Sequence, residues 1–459
     1  MLLARLHINR QTLSTLFRIS IPMVVSQGTF AVMTFTDRFF LSQVSPAHMA
    51  AALGGGVAVF FSICFFTALL SYGNALSAQY LGAGEPHKCA RVVAQGLLLA
   101  LVFLIPLAVV GWLVSNLFAL MDHAPEQVAL ERTYYTILML GAWITLGKTC
   151  FASFFAGVAR TRVVMICDLV GMALNVPLSY VLIFGKLGLP ALGIAGAAIG
   201  TLIASACALL LFVWFYLRPA NREEFAIARA WRLDRAIMKR YLRLGTPSGI
   251  ELFLNVASFN LFLLMFQSYG VAEGASAAIV FNWDILSFVP MIGVNIGVMS
   301  LIGRSVGAND MTRVNEVISA GFMLAVPYSL LLALIYILFR EPLVEVFAPP
   351  SGDFSEIRTL AAFMMIGLAS YTMCDAVILV SGGVLRGAGD TRWVMYVSIS
   401  LHWATLLAQY LIIRVFEFGP RAAWLAFVVM LFLIAIVFLS RVTGGRWRDP
   451  ERLRYVMSE

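Results

Sequence analysis

The chain has 459 residues, 61% of them hydrophobic and only 12% charged, with a mean hydropathy of +0.89. That much apolar surface cannot be enclosed in a soluble core, so a soluble domain is excluded and a polytopic membrane protein is expected. The formal charge of +8 then has to be read from where the basic residues fall along the chain.

Apolar runs long enough to cross about 30 Å of hydrocarbon with some tilt occur in chain order at 17–41, 50–79, 92–118, 132–157, 163–184, 191–217, 244–270, 276–302, 315–339, 357–385, 393–416 and 421–440. Within them Gly, Ala, Leu and Phe follow no period of two and turn residues are few, which argues for twelve helices over a barrel of short strands. The first run contains Pro22 and Asp37 and has no small-residue cleavage site behind a short apolar core. It is expected to stay in the mature protein.

The amino-terminal segment, the even-numbered connections and the tail hold 24 Lys and Arg, among them Arg5, Arg10, Lys88, Arg160, Arg304, Arg386 and Arg441, against seven on the other side. This asymmetry places both termini in the cytoplasm. Most of the positive charge is thereby a topology signal at headgroup level, and no nucleic-acid partner is expected. The six Cys show no metal-ligand spacing and read as small apolar packing residues.

An offset of 225 residues aligns Pro22 with Pro247, the loop "LGAGEP" with "VGANDM", and Gly96 with Gly321; further on, "RTR" at 160–162 aligns with "DTR" at 390–392, at an offset of 230. The expected fold is therefore an all-α polytopic membrane protein, its twelve transmembrane helices forming two six-helix halves around a central cavity. The expected divisions are 1–217 for the first lobe, 218–243 for a cytoplasmic linker, 244–440 for the second lobe and 441–459 for a cytoplasmic tail. In the linker, Trp231, Leu233, Ile237 and Leu242 suit a short amphipathic helix on the inner leaflet, or a solvated basic connector. No GxxxxGK[ST] phosphate loop and no large soluble domain is present, which argues against an ATP-driven pump.

Ionisable residues inside a membrane are costly and mark function unless they tie helices together. Glu251 and Asp375 fall at one depth, roughly 10–15 Å from the cytoplasmic end of their spans by helical rise. They are expected to share a proton or hold a small hard cation such as Na⁺, with Asn255 one turn beyond Glu251; the other reading is that each ties helices by hydrogen bonds. Lys148 and Asp168 lie at similar depth and are expected to form a structural ion pair. Asp284, in "FNWDILSF", is placed about eight residues from the outer face; with Asp37, Asn282 and Trp283 it is expected to line a substrate path. Asp37 lies near the outer end of its span, and Arg38 beside it must face elsewhere. His402, the one His inside a span, reads as structural.

"FTDRFFLS", "LGAGEPHKCARVV", "GVARTR", "TPSGIE" and "CDAVILVSGGVLRGAGDTR" together resemble the multidrug and toxic compound extrusion (MATE) family, in its NorM-like branch, across essentially the whole chain. The resemblance implies an acidic residue in span 1, a Glu in span 7 and an Asp in span 10, which fall on Asp37, Glu251 and Asp375, the last two associated with the coupling cation. The expected function is a secondary multidrug antiporter of the bacterial inner membrane, exporting organic cations in exchange for Na⁺ or H⁺, with no other cofactor, and working as a monomer. A flippase for lipid-linked precursors is the alternative, but its anionic cargo would call for several intramembrane Arg or Lys, and here Arg38 and Lys148 face five acids. An enzyme is not expected, since no nucleophile with a base and no metal cluster is visible.

Overall fold

The computed structural model describes residues 9–120, 124–348 and 354–458; Arg5 and the last residue of the tail lie outside them. Among the described residues every regular element is a helix. In chain order the long ones are α1 (Arg10–Val44), α2 (Pro46–Gly82), α3 (Pro86–Leu120), α4 (Pro125–Leu140), α5 (Ala142–Gly157), α6 (Thr161–Phe184) and α7 (Ile194–Tyr216), then α8 (Arg235–Gln267), α9 (Val271–Gly307), α10 (Met311–Leu338), α11 (Ser355–Gly387), α12 (Thr391–Val415) and α13 (Pro420–Gly444). Eleven of these are each long and apolar enough to cross a membrane; α4 and α5, bent by 47° at their break, make the twelfth span. Large apolar side chains are exposed along them, such as Leu101, Ile105 and Trp112 on α3, the surface that a hydrocarbon solvent covers.

Local chemistry sets the helix ends. Pro86, Pro125 and Pro420 occupy first-turn positions, where the missing N–H costs nothing. The Ser45 side chain accepts from the His48 N–H, and Asp310 from that of Arg313. The loop motifs share one backbone device. Gly84, Ala159, Asn309 and Gly389 all have positive φ, at 77°, 60°, 55° and 83°. The next residue's N–H in each case bonds back five residues, to the carbonyls of Tyr80, Phe155, Ser305 and Leu385, at 2.8–2.9 Å. This closes four helices in the same left-handed cap. In each half, the helix ends bearing these loops are called the basic end below.

The helix starts of α1 to α3 recur 225 residues later in α8 to α10, and those of the loops before α6 and α12 recur at 230. One element breaks the repeat. In the first half the fourth span bends at Gly141, where a Cβ would lie only 2.1 Å from Leu202 Cδ2; its counterpart α11 runs unbroken for 33 residues.

Two compact units result, one of residues 25–250 and the other of residues up to Val24 with 251–458. The bounds differ from the sequence-based division at both ends of the first lobe. The first turns of α1 belong with the second unit, where Asn9 and Thr12 donate to Glu316 Oε2 at 3.0 and 2.7 Å. Residues 218–250 belong wholly to the first, where the Tyr241 hydroxyl donates to the Leu70 carbonyl at 2.5 Å. The expected amphipathic linker helix is not a separate element. Short helices cover 219–224 and 227–229, and from Arg235 onward the segment is the start of α8. Ile237 is buried there while Trp231 and Leu233 stay exposed. The tail also folds back, with a last helix at Pro450–Met457 whose Val456 packs over Gly389.

Candidate functional site

In the second unit, α8 brings Glu251 against the last turn of α11. Arg386 Nη2 donates to Glu251 Oε1 at 2.7 Å, with the Glu side chain 6% exposed and the Arg 24%. One turn on, Asn255 Nδ2 donates to Ser398 Oγ at 2.8 Å, and Ser258 Oγ to the His402 carbonyl at 3.2 Å. His402 Nδ1 donates to the Ser398 carbonyl at 2.7 Å. This face of α8 is thereby laced to α11 and α12 by polar contacts, though Asn255 Oδ1 is buried without a partner among the described residues, and His402 takes part through its ring nitrogen and its carbonyl.

Glu251 and Asp375, expected as one pair, each have a different charged neighbour. Asp375 lies on α11, roughly 18 Å along the helix from its basic end, near enough to Asp284 of α9 for their charges to interact. Asp284 is thirteen residues from the start of α9, about 20 Å in, deeper than its position in the sequence suggested. Both acids are half-buried, and neither forms an ion pair among the described residues. Tyr371, one turn before Asp375, turns its hydroxyl toward Asp284; that hydroxyl and Asp284 Oδ1 are both closed to solvent. Close packing of α9 on α11 makes this possible, because Gly383 and Gly387 stand where a Cβ would come within 2.9 and 2.7 Å of the Asn295 and Met299 carbonyl oxygens.

An aromatic cluster walls this acidic pair. Tyr371 lies 6.1 Å from Trp424 and 5.9 Å from Phe427, ring centre to ring centre, and Phe281 lies 5.8 Å from Trp424. The cluster is packed core, with Tyr371 and Trp424 each 1% exposed; it lowers the local dielectric around the acids. Trp283 and Asn282 do not join it. The Trp283 indole donates to the Leu343 carbonyl at 3.2 Å and Asn282 Nδ2 to its own helix at Ala278.

Two further acids singled out in the sequence, Asp168 and Asp37, lie in the first unit. Lys148 Nζ lies 3.2 Å from Asp168 Oδ1, and Ser26 Oγ donates to Asp168 Oδ2 at 2.5 Å. Ser26 is the repeat position of Glu251, so both halves place an acid–base tie beside their first helix, with the acid supplied from α6 in one and α8 in the other. Asp37 is 4% exposed. Thr201 Oγ1 donates to its Oδ2 at 2.8 Å, and Asn175 Nδ2 bonds Thr201 Oγ1 and Ser179 Oγ at 3.1 and 3.3 Å. Oδ1 of Asp37 is buried without a partner. Arg38 takes no part.

Among the described residues no three His, Cys, Asp or Glu side chains cluster as a metal site. A small hard cation would instead find one or two carboxylates with hydroxyl and amide oxygens, at Asp284–Asp375 or at Asp37. Sequence reasoning missed the first of these because Asp284 and Asp375 are 91 residues apart on different helices, and it missed Arg386 because that residue was counted with the loop charges.

The MatE family model matches residues 22–181 and 247–411, two segments in the same register as the repeat. A probable multidrug resistance protein NorM of Mannheimia succiniciproducens is 27% identical over 452 residues, 96% of this chain and 95% of that protein. Multidrug resistance protein MdtK of Yersinia pseudotuberculosis is 24% identical over 450 residues, 96% of this chain and 97% of that one. A crystal structure of MATE in complex with MaL6 shares the fold with a TM-score of 0.85 at 20% identity, over 97% of each chain.

Proposed function

Because the chain belongs to the MatE family of multidrug efflux transporters, we propose that it is an antiporter of the bacterial inner membrane that exports organic cations in exchange for Na⁺ or H⁺. Both termini are assigned to the cytoplasm, on the basic end. The observation that carries this reading is the Asp284–Asp375 pair, half-buried beside an aromatic wall with no basic partner among the described residues.

Two half-buried carboxylates near each other with no basic partner among the described residues call for compensating positive charge. A proton or a Na⁺ ion supplies it from solution, whereas Glu251 already has Arg386. We assign the coupling role to Asp375 with Asp284 and a helix-tying role to Glu251, Asn255, Lys148 and Asp168. A bound cation drives alternating access only by binding one conformation better than another. Exchange of one monovalent drug cation for one H⁺ moves no net charge, so the membrane potential, worth about 2.3 kcal/mol per charge per 100 mV, would not contribute.

Export of ethidium from everted vesicles, with Na⁺ and pH gradients imposed separately, tests this. The wild type should follow one gradient, and Asp375→Asn and Asp284→Asn should reach the membrane yet lose that dependence. Gradient-driven export retained by the double variant would reject the assignment and move it to Asp37, whose free oxygen and neighbouring hydroxyls form the second candidate.

A further inference from the structure

We propose that the basic end of α13 carries a binding site for the phosphate headgroup of an anionic phospholipid. Arg441 lies 21 residues beyond Pro420, roughly 31 Å of helix, one hydrocarbon thickness from the other end. At this level Trp393, Ser440, Arg441, Gly444 and Arg446 line a cavity of about 460 Å³. Trp at such a depth is at home in the interface between headgroups and acyl chains.

The charges around the cavity are unequal. Arg441 Nε donates to Asp390 Oδ2 at 2.9 Å, and its guanidinium lies over the Trp393 ring, 5.1 Å from the centre. Asp390 is also held by Arg452, so its negative charge is balanced before Arg441 is counted. Arg446 forms no ion pair or hydrogen bond among the described residues. Two guanidiniums thus share one cavity with positive charge in excess, and a phosphate oxygen pair matches the guanidinium fork. Gly444 has open space around its Cα, which leaves the backbone approachable.

The surface next to the cavity fits the rest of such a ligand. Leu425, Val429, Phe432, Leu433 and Ile436 are 41–61% exposed and recur every three or four residues on α13, forming one apolar face that ends a turn before Ser440. An acyl chain laid along that face leads its headgroup to Arg441 and Arg446. A free phosphate would use only the arginines, and a zwitterionic headgroup would bring a cation against them.

The test is native mass spectrometry of the purified full chain in detergent, titrated with phosphatidylglycerol, phosphatidylcholine or inorganic phosphate. Phosphatidylglycerol should bind the wild type more tightly than phosphatidylcholine, and Arg446→Gln should weaken it about five-fold, the equivalent of ~1 kcal/mol. Arg392→Gln, an exposed arginine at the same end that does not line the cavity, should leave it unchanged. Equal binding of the two lipids, or no change on Arg446→Gln, would overturn the proposal. So would an equal loss in Arg392→Gln, which would mean diffuse charge, or displacement of the lipid by inorganic phosphate, which would mean a soluble ligand.

Discussion

Replacing Glu251, Arg386 or both separates a helix-tying role from a coupling role. Removing one partner of a buried ion pair costs about 3–5 kcal/mol, whereas removing both is close to neutral. In Glu251→Gln the arginine loses a carboxylate at 2.7 Å but is 24% exposed and can recruit water, so the loss should be near ~3 kcal/mol. In Arg386→Gln the stranded carboxylate is only 6% exposed, and the loss should be near ~4–5 kcal/mol. The double variant buries no charge and should return to within ~1 kcal/mol of the wild type, far from the sum of the single losses. Graded heating followed by fluorescence-detected size exclusion reads the order directly, and everted vesicles show whether the double variant regains ethidium export. Additive losses, or a Glu251→Gln protein as stable as the wild type but unable to transport, would refute the reasoning and return Glu251 to the coupling site.

Gly387→Val should part α9 from α11, since its Cβ would fall 2.7 Å from the Met299 carbonyl oxygen and 3.1 Å from Ile302 Cβ. A loss of about 1–3 kcal/mol should appear as a lower melting temperature, while Gly28→Ala, with nothing within 4 Å, should cause none. Thr201→Val removes the hydroxyl that bonds Asp37 at 2.8 Å and should cost about 1–3 kcal/mol; in the same melting assay Thr201→Ser should recover most of it.

Much of this protein was legible from the chain alone, because burial in hydrocarbon demands long unbroken apolar runs and a duplicated sequence repeats its punctuation. The twelve spans, the two halves and the family resemblance all rest on such local signals. So do the four loops near Gly84, Ala159, Asn309 and Gly389, whose similar lettering reflects one left-handed cap. Pairing between helices is a different kind of information. Glu251 and Asp375 were at one depth, yet depth along a helix leaves its rotation and its neighbours undetermined. Close approach of α9 and α11 through Gly383 and Gly387 set Asp284 against Asp375, and the long side chain of Arg386, reaching back from the last turn of its helix, took Glu251. Leu202, which leaves no room for a Cβ at the Gly141 bend, likewise lies 61 residues further on. Sequence therefore determined which residues enter the membrane, and packing decided which of them meet, since helical periodicity fixes a face but only the neighbouring helix supplies the partner.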